Sequence, residues 1–326
     1  MPRTLPTLLA FPLILAFLCA CASSTTRVPP TISANPTSPY LLVLGIAQDG
    51  GVPQAGNATD RGWTDPAFRR RVSCLGLIDP STGNRWMFDA TPDFPTQLRD
   101  LCLAPPARPA AAPRIDGIFL THAHIGHYTG LMYLGLEAMG AHATTVYAMP
   151  RMRSFLETSG PWSQLVNYQN IAITMLEAGT PVNLSGGLSV TPILVPHRQE
   201  FSEVVGYRIQ GPNARALFIP DIDSWEQWDA AGSRLETELA AASVAYLDGT
   251  FFADGELPGR DMRYVPHPLI EHTMDRLSPL PAAERAKVRF IHLNHTNPAL
   301  WLATPARRKI LDQGFKVADE GEKVGL

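Results

Sequence analysis

The segment that most constrains this chain is Thr121-His122-Ala123-His124-Ile125-Gly126-His127-Tyr128-Thr129-Gly130. Three histidines fall within six residues, directly after an apolar stretch, 115–120, that reads as a strand. Along an extended chain side chains alternate with a period of two, so His122 and His124 project to the same side and can reach one ion together. Zinc favours imidazole, and a catalytic centre takes about three protein ligands with one position left open. The segment therefore predicts a metal centre at the end of a strand, in a fold that brings further donors to that point.

Further donors occur downstream in suitable places. His197 follows Ile193-Leu194-Val195-Pro196, and Asp221 follows Leu217-Phe218-Ile219-Pro220. His292 and His295 lie in Phe290-Ile291-His292-Leu293-Asn294-His295. Each sits at or just past the end of an apolar run, where a sheet edge can converge on one centre. Taken singly, each also reads as a core histidine or a turn former; their joint order gives the set its weight. Asp223 reads as a capping or surface residue.

The other elements follow from apolar periodicity and turn residues. Strands are expected at 40–45, 75–78, 86–89, 115–120, 145–148, 206–210, 216–219, 244–248 and 288–293. Two more lie between 182 and 196, split by Ser185-Gly186-Gly187. The turn Pro80-Ser81-Thr82-Gly83-Asn84 makes 75–78 and 86–89 a hairpin. Helices are expected at 95–103, 131–139, 151–156, 236–242 and 269–277, and a Pro/Ala-rich surface loop at 103–113. With 45% hydrophobic and 17% charged residues the chain can bury a sizeable core. Two β-rich halves, each followed by helices, predict an α/β sandwich of two mixed sheets with helices outside. The net charge of -3 supplies no basic footprint for nucleic acid; the expected partner is a small-molecule substrate, and the sequence does not speak to oligomeric state.

Residues 1–20 carry one early charge, Arg3, and a short apolar run broken by Pro12, which reads as a signal peptide. Its end, Leu18-Cys19-Ala20-Cys21, resembles the bacterial lipobox. That resemblance implies cleavage before Cys21, a lipid on its thiol, and membrane attachment. Ala22 rather than Asp follows it, which implies the periplasmic side of the outer membrane. Residues 21–38 read as a tether and 39–326 as the folded domain. Cys74 and Cys102 stand alone, with no CxxC to suggest a cysteine-held metal. Whether they pair or stay separate buried thiols is open, since spacing does not show that they meet.

The order His-x-His-x-x-His, His, Asp, His resembles the ligand order of the metallo-β-lactamase superfamily. The resemblance implies its αββα sandwich and the following assignments. His122, His124 and His197 match ligands of a first zinc, and Asp221 matches a carboxylate that bridges two zincs and orients the attacking water. His127 and His292 match ligands of a second zinc, with His295 competing for the last place. One departure matters. The superfamily normally carries Asp immediately before the third His, and here that residue is Gly126. The pattern therefore predicts an intact first site and leaves the second in doubt, so one zinc or two are both open.

A closer likeness is to the pyrroloquinoline quinone biosynthesis protein B group. It is carried by Leu44-Gly45, Gly50-Gly51-Val52-Pro53-Gln54, Asp89-Ala90-Thr91-Pro92-Asp93, Leu247-Asp248-Gly249-Thr250-Phe251-Phe252, Arg260-Asp261-Met262 and Ile291 to Pro298. This chain keeps the His-x-His pair and lacks the cysteine-rich stretch of that group, reading Ala55-Gly56-Asn57-Ala58-Thr59-Asp60 instead. With these departures the chain reads as a relative of that group that keeps hydrolase equipment, and the superfamily resemblance implies a zinc hydrolase for an ester, lactone, amide or phosphodiester. His267, on a loop with Tyr264, is a candidate proton donor or a surface residue. Asp49 and Asp248 are candidate acceptors that fix histidine tautomers. The alternatives are a ligand- or metal-binding lipoprotein on the same scaffold and a role in quinone-cofactor metabolism.

Overall fold

Side-chain alternation along the first strand sets the layering. In the computed structural model, which describes Met1 and residues 36–107 and 114–326, β1 (Tyr40–Gly45) is buried along its whole length. Tyr40, Leu42 and Leu44 pack to one side, Leu41 and Val43 to the other. A strand of this kind needs a cover on both faces. β2 (Cys74–Ile78) and β3 (Arg85–Phe88) repeat the pattern. Cys74, Ile78 and Met87 join the first side, Leu75, Leu77, Trp86 and Phe88 the second. β4 (Gly117–Phe119), β5 (Thr144–Ala148) and β6 (Ile171–Met175) extend the sheet in parallel.

The second sheet comprises β7 (Val182–Asn183), β8 (Ser189–Leu194), β9 (Val205–Gln210), β10 (Arg215–Ile219), β11 (Val244–Asp248), β12 (Val288–Ile291) and β13 (Lys316–Val317). They lie in inverse chain order, and β10 to β13 are mutually parallel. β14 (Lys323–Gly325) returns to the first sheet and pairs with β1, giving seven strands in each. Helices 94–103 and 150–158 cover the outer face of the first sheet through Phe94, Leu98, Leu101, Met152 and Leu156. Helices 225–230, 235–241, 270–277 and 305–312 bury Trp225, Leu239, Met274 and Ile310 with the second sheet.

Between the sheets lies an aromatic cluster. Phe88 stands 5.3 Å from Phe119, 5.4 Å from Tyr207 and 5.9 Å from Phe218, ring centre to ring centre. Tyr147 stacks on Phe119 at 4.1 Å. The rings come from β3, β4 and β5 on one side and β9 and β10 on the other, so they tie the sheets together.

The expected αββα sandwich is the observed one. The expected helix at 131–139 is instead a 3-10 turn, Thr129–Leu134, halted by the extended backbone of Gly135. Helices 162–167, 225–230 and 305–312 and the exposed strand β6 carried too weak an apolar pattern to be anticipated. Cys74 and Cys102 are free and buried, without a bond between them. The chain divides into Met1–Thr31 and Ile32–Leu326. The signal-peptide and lipobox expectations, and most of the tether, lie outside the described residues. Among the described residues no helix is long and apolar enough to cross a membrane. Truncating the ring at the centre of the seam, Phe88→Ala, is expected to cost about 3–5 kcal/mol by leaving a cavity. Urea unfolding should show that loss, and a change below about 1 kcal/mol would mean the seam does not depend on Phe88.

Candidate metal centre

Strand direction places the site. β1, β3 and β4 run the same way in the first sheet, and β8, β10, β11 and β12 run the same way in the second. At or just beyond their C-terminal ends lie Asp49, Asp89, His122, His124, His197, Asp221, Asp248 and His292. The His-x-His segment is pinned across the seam. Val205 N–H donates to the Thr121 carbonyl at 3.1 Å, Ala123 N–H donates to Ser202 Oγ at 2.9 Å, and the Tyr207 hydroxyl donates to the Leu120 carbonyl.

Three groups of donors meet there, and the third, Asp221, Asp248 and His267, is already closed by the hydrogen bond from His267 Nδ1 to Asp248. The first is His122 Nε2, His124 Nδ1, His197 Nε2 and Asp221 Oδ2. His124 Nδ1 lies 2.9 Å from His122 Nε2 and 3.1 Å from His197 Nε2. Asp221 Oδ2 lies 3.5 Å from His122 Nε2 and 3.2 Å from His197 Nε2. A tetrahedral ion with bonds of about 2.0–2.1 Å separates its ligand atoms by about 3.3 Å, and these spacings bracket that value. The second group is Asp49, His127 and His292. Asp49 Oδ1 lies 3.2 Å from His127 Nε2 and 3.5 Å from His292 Nε2, and Asp221 Oδ2 lies 3.8 Å from His127 Nε2.

The outer nitrogen of every one of these histidines is engaged. His197 Nδ1 donates to Asp223 at 2.6 Å, His127 Nδ1 to Asp89 at 2.7 Å, and His124 Nε2 to Glu200 at 3.0 Å. The Thr121 hydroxyl bonds Asp89 and stands 3.0 Å from His122 Nδ1. The Thr250 hydroxyl bonds Asp248 and stands 3.0 Å from His292 Nδ1. With both hydroxyl protons given to carboxylates, the hydroxyl oxygens accept from the imidazoles. The hydrogen-bond network thus assigns the proton of each neutral ring to its outer nitrogen and turns a bare nitrogen inward. The inward atoms then have no proton to share. His127 Nε2, His292 Nε2, Asp49 Oδ1 and Asp221 Oδ1 are buried without any hydrogen bond. Buried acceptors that face one another are costly unless a cation lies between them, so the donor set fits a divalent metal.

Burial opposes a charge on the His127 and His197 rings, yet Asp89 and Asp49 raise His127 and Asp221 and Asp223 raise His197 to about 9, so unless a cation lies between the groups these rings take the proton that relieves the carboxylates. Burial pushes Asp221 up, but His267 and His197 outweigh it and hold the carboxyl well below its usual range. Burial likewise opposes ionisation of Asp49, and His127 and His292 overcome it. Burial and the charge of His127 drive His122 well below the ordinary histidine value, keeping it a neutral donor. Backbone strain is also local. Asp89 and His292 are two of the four described non-glycine residues at positive φ, 69° and 64°, a conformation that persists where the surroundings enforce it.

The structure brings His122, His124, His127, His197, Asp221 and His292 together and leaves His295 outside. His295 is separated from the cluster by the turn after the left-handed His292, and it lines a neighbouring cleft. The last-ligand expectation for His295 is therefore corrected in favour of His292. Asp223 is not a cap; it holds His197. Asp248 does fix a histidine, His267, whose Nδ1 lies 2.9 Å away and also 3.2 Å from Asp221. Asp49 faces the inner nitrogens of His127 and His292 rather than an outer one, so its expected supporting role is corrected as well. Asp89, Glu200, Thr121 and Thr250 were not anticipated. Asp89, Thr121 and Thr250 lie in segments that the sequence already singles out, without a sign of this role, and Glu200 lies in none.

Two seven-stranded sheets between helices, with His and Asp donors at the C-terminal strand ends, define the metallo-β-lactamase fold class. The Beta-lactamase superfamily domain matches residues 84–318, and the chain belongs to that superfamily. Over 314 residues it is 27% identical to coenzyme PQQ synthesis protein B of Xanthomonas euvesicatoria pv. vesicatoria, covering 88% of this chain and 99% of that protein. The Rhizobium meliloti protein of that name is 28% identical over 312 residues, covering 88% and 97%. Among solved structures, Zn(2+)-bound PqqB from Methylobacterium extorquens superposes with a TM-score of 0.71 at 22% identity, covering 88% of this chain and 100% of that one. A diphosphatase from the PhnP family superposes with a TM-score of 0.61 at 21% identity, covering 88% and 97%.

Asp223 offers a test that spares every inward-facing donor. Replacing Asp223 by Asn is expected to weaken metal affinity about 10–100-fold by releasing the His197 ring. Competition with a chromogenic chelator measures this, and an unchanged affinity would remove Asp223 from the site.

Proposed function

We propose that this protein is a zinc-dependent hydrolase whose substrate is a small molecule with an ester, lactone, amide or phosphodiester bond, and that an anionic phosphoester suits the site best. The observation that carries the proposal is the set of bare, buried nitrogens and carboxylate oxygens aimed at one another. His122, His124, His197 and Asp221 would hold the metal. When bound, zinc supplies Lewis acidity, making a water more acidic near neutral pH and polarising the bond to be cleaved.

The chain's own residues do the rest. Asp221 has a second oxygen, Oδ1, free of hydrogen bonds and able to orient the attacking water. His267 stands beside it, its Nδ1 donating to Asp248 at 2.9 Å and lying 3.2 Å from that oxygen. Burial works against a charge on His267, but Asp248 and Asp221 prevail and raise its pKa. It therefore holds a proton next to the reacting centre and can give it to a leaving group from Nε2. The centre opens on a cleft of about 840 Å³ whose lining includes Arg198, Arg260, Tyr264, Asn294 and His295. Two guanidiniums at this rim favour a substrate with negative charge, which is why the phosphoester is preferred among the four bond types.

The similarity to coenzyme PQQ synthesis protein B over most of the chain favours a second reading, a role in quinone-cofactor metabolism. For location, the segment Leu18-Cys19-Ala20-Cys21 supports an exported lipoprotein on the periplasmic side of the outer membrane.

A panel of nitrophenyl esters, a lactone, an amide and bis-nitrophenyl phosphate tests the activity. Turnover should vanish with chelation, return with zinc, and be lost with zinc content in the His122→Ala, His124→Ala double variant. His267→Ala should lower kcat about 100-fold or more while zinc content stays unchanged. Bound zinc with no turnover on any member would overturn the hydrolase reading. Cys21→Ser should abolish lipid labelling and move the protein from the membrane to the soluble fraction; continued labelling would overturn the anchor.

A further inference from the structure

Gly126 stands where the superfamily pattern expects a carboxylate, and the space a side chain there would fill is taken. A Cβ built on Gly126 would lie 2.3 Å from Asp49 Oδ1, 2.5 Å from Asp49 Cα and 2.8 Å from Asp49 Cβ. No real Cβ tolerates such contacts, so residue 126 can be only glycine while Asp49 stays in place. What fills the vacated volume is itself a carboxylate, and its Oδ1 is aimed at His127 Nε2 and His292 Nε2.

The loop that carries Asp49 is built to hold it there. Leu293 N–H donates to the Ile46 carbonyl and Gln48 N–H donates to the Leu293 carbonyl, both at 2.8 Å. These two bonds staple the segment before Asp49 to the segment that begins with His292. Gly51 N–H closes the turn on the Gln48 carbonyl at 2.8 Å, and the Asn294 side-chain amide donates to Gln48 Oε1. The segments carrying Asp49 and His292 are thus bonded to each other on both sides. Asp49 Oδ1, His127 Nε2 and His292 Nε2 are all buried and all without a hydrogen bond, although the oxygen stands within 3.5 Å of both nitrogens. A carboxylate this close to two imidazole nitrogens, with no N–H directed at it, lacks the contact that would satisfy it.

We infer that the carboxylate ligand of a second metal has moved from position 126 to position 49, so that Asp49, His127 and His292, with Asp221 shared between the sites, hold a second divalent ion beside the first. The chain is then dinuclear despite its glycine, and Gly126 and Asp49 form a reciprocal pair in which one vacates the volume the other fills. The inference rests on the proposed metal-dependent reading only in that the first site binds metal.

The test is metal stoichiometry and ligand spectroscopy on the full chain, independent of turnover. Wild type is expected to take up two equivalents of zinc, and Asp49→Asn one. His122→Ala with His124→Ala reports on the first site separately. The Asp49→Cys variant loaded with Co(II) should show a thiolate-to-cobalt charge-transfer band in the near ultraviolet, because a soft thiolate at a ligand position binds cobalt directly. Asp49→Asn, which retains the native Cys74 and Cys102, is the blank for that band. Circular dichroism of the metal-free variants checks that both fold, and the cobalt band reads ligation even where affinity falls. One equivalent in wild type that Asp49→Asn leaves intact would overturn the inference while leaving the hydrolase reading standing. Two equivalents retained in Asp49→Asn with no cobalt band in Asp49→Cys would overturn it equally. No metal in wild type at all would instead sink the broader reading.

Discussion

Everything at this centre depends on where five imidazole protons sit. Asp223, Asp89 and Glu200 each take one directly, and Thr121 and Thr250 take two more because their own protons go to Asp89 and Asp248. With the outer positions fixed, the inner nitrogens of His122, His124, His127, His197 and His292 are lone pairs pointing inward. Lone pairs 2.9–3.1 Å apart, as at His124, repel unless a proton or a metal ion lies between them. The outer shell therefore does more than orient rings. It makes the inner shell unsatisfiable by the protein alone, which is what gives such a site its affinity for a cation.

Asp89 shows how economical the support is. It takes the His127 proton, both the hydroxyl and the backbone N–H of Thr121, and through Thr121 it sets His122. One fully buried carboxylate in a left-handed backbone conformation thereby couples a ligand of the first group to a ligand of the second. Burial of a charge without such partners would be costly, and here every acceptor position is used. Asp248 plays a parallel part on the other sheet, accepting from Thr250, His267 and the Ile222 N–H.

Much of this was legible in the residues. His122, His197 and Asp221 announce themselves because each follows an apolar run, period-two alternation puts His124 on the side of His122, and the resemblance to the superfamily's ligand order adds His127. The two-sheet architecture follows from strands whose alternate residues are all apolar. What could not be read is adjacency across the seam. Asp49 lies 77 positions before Gly126 by the chain numbering, and nothing in a linear pattern says that an aspartate in a glycine turn fills the hole left by a missing side chain. Asp223 and Glu200 look like ordinary surface acids until the fold sets them behind a histidine. The His292 and His295 alternatives needed the backbone itself, since the left-handed turn at His292 decides which ring faces inward.

The centre straddles the seam, and this links core packing to site chemistry. His122, His124 and His127 leave the first sheet, while His197, Asp221 and His292 leave the second. Asp49 follows β1 of the first sheet, yet Ile46 and Gln48 beside it are stapled to Leu293, just beyond β12 of the second. The spacing between the two donor sets is therefore the spacing between the sheets. That spacing is set a few residues back along the same strands, where Phe88 precedes Asp89, Phe119 precedes Thr121 and His122, and Phe218 precedes Asp221. Interiors this densely packed transmit displacement rather than absorb it. A change in the aromatic cluster would reach the ligands as a change in bite distance, although it touches none of them. The core beneath the site is thus part of its coordination geometry.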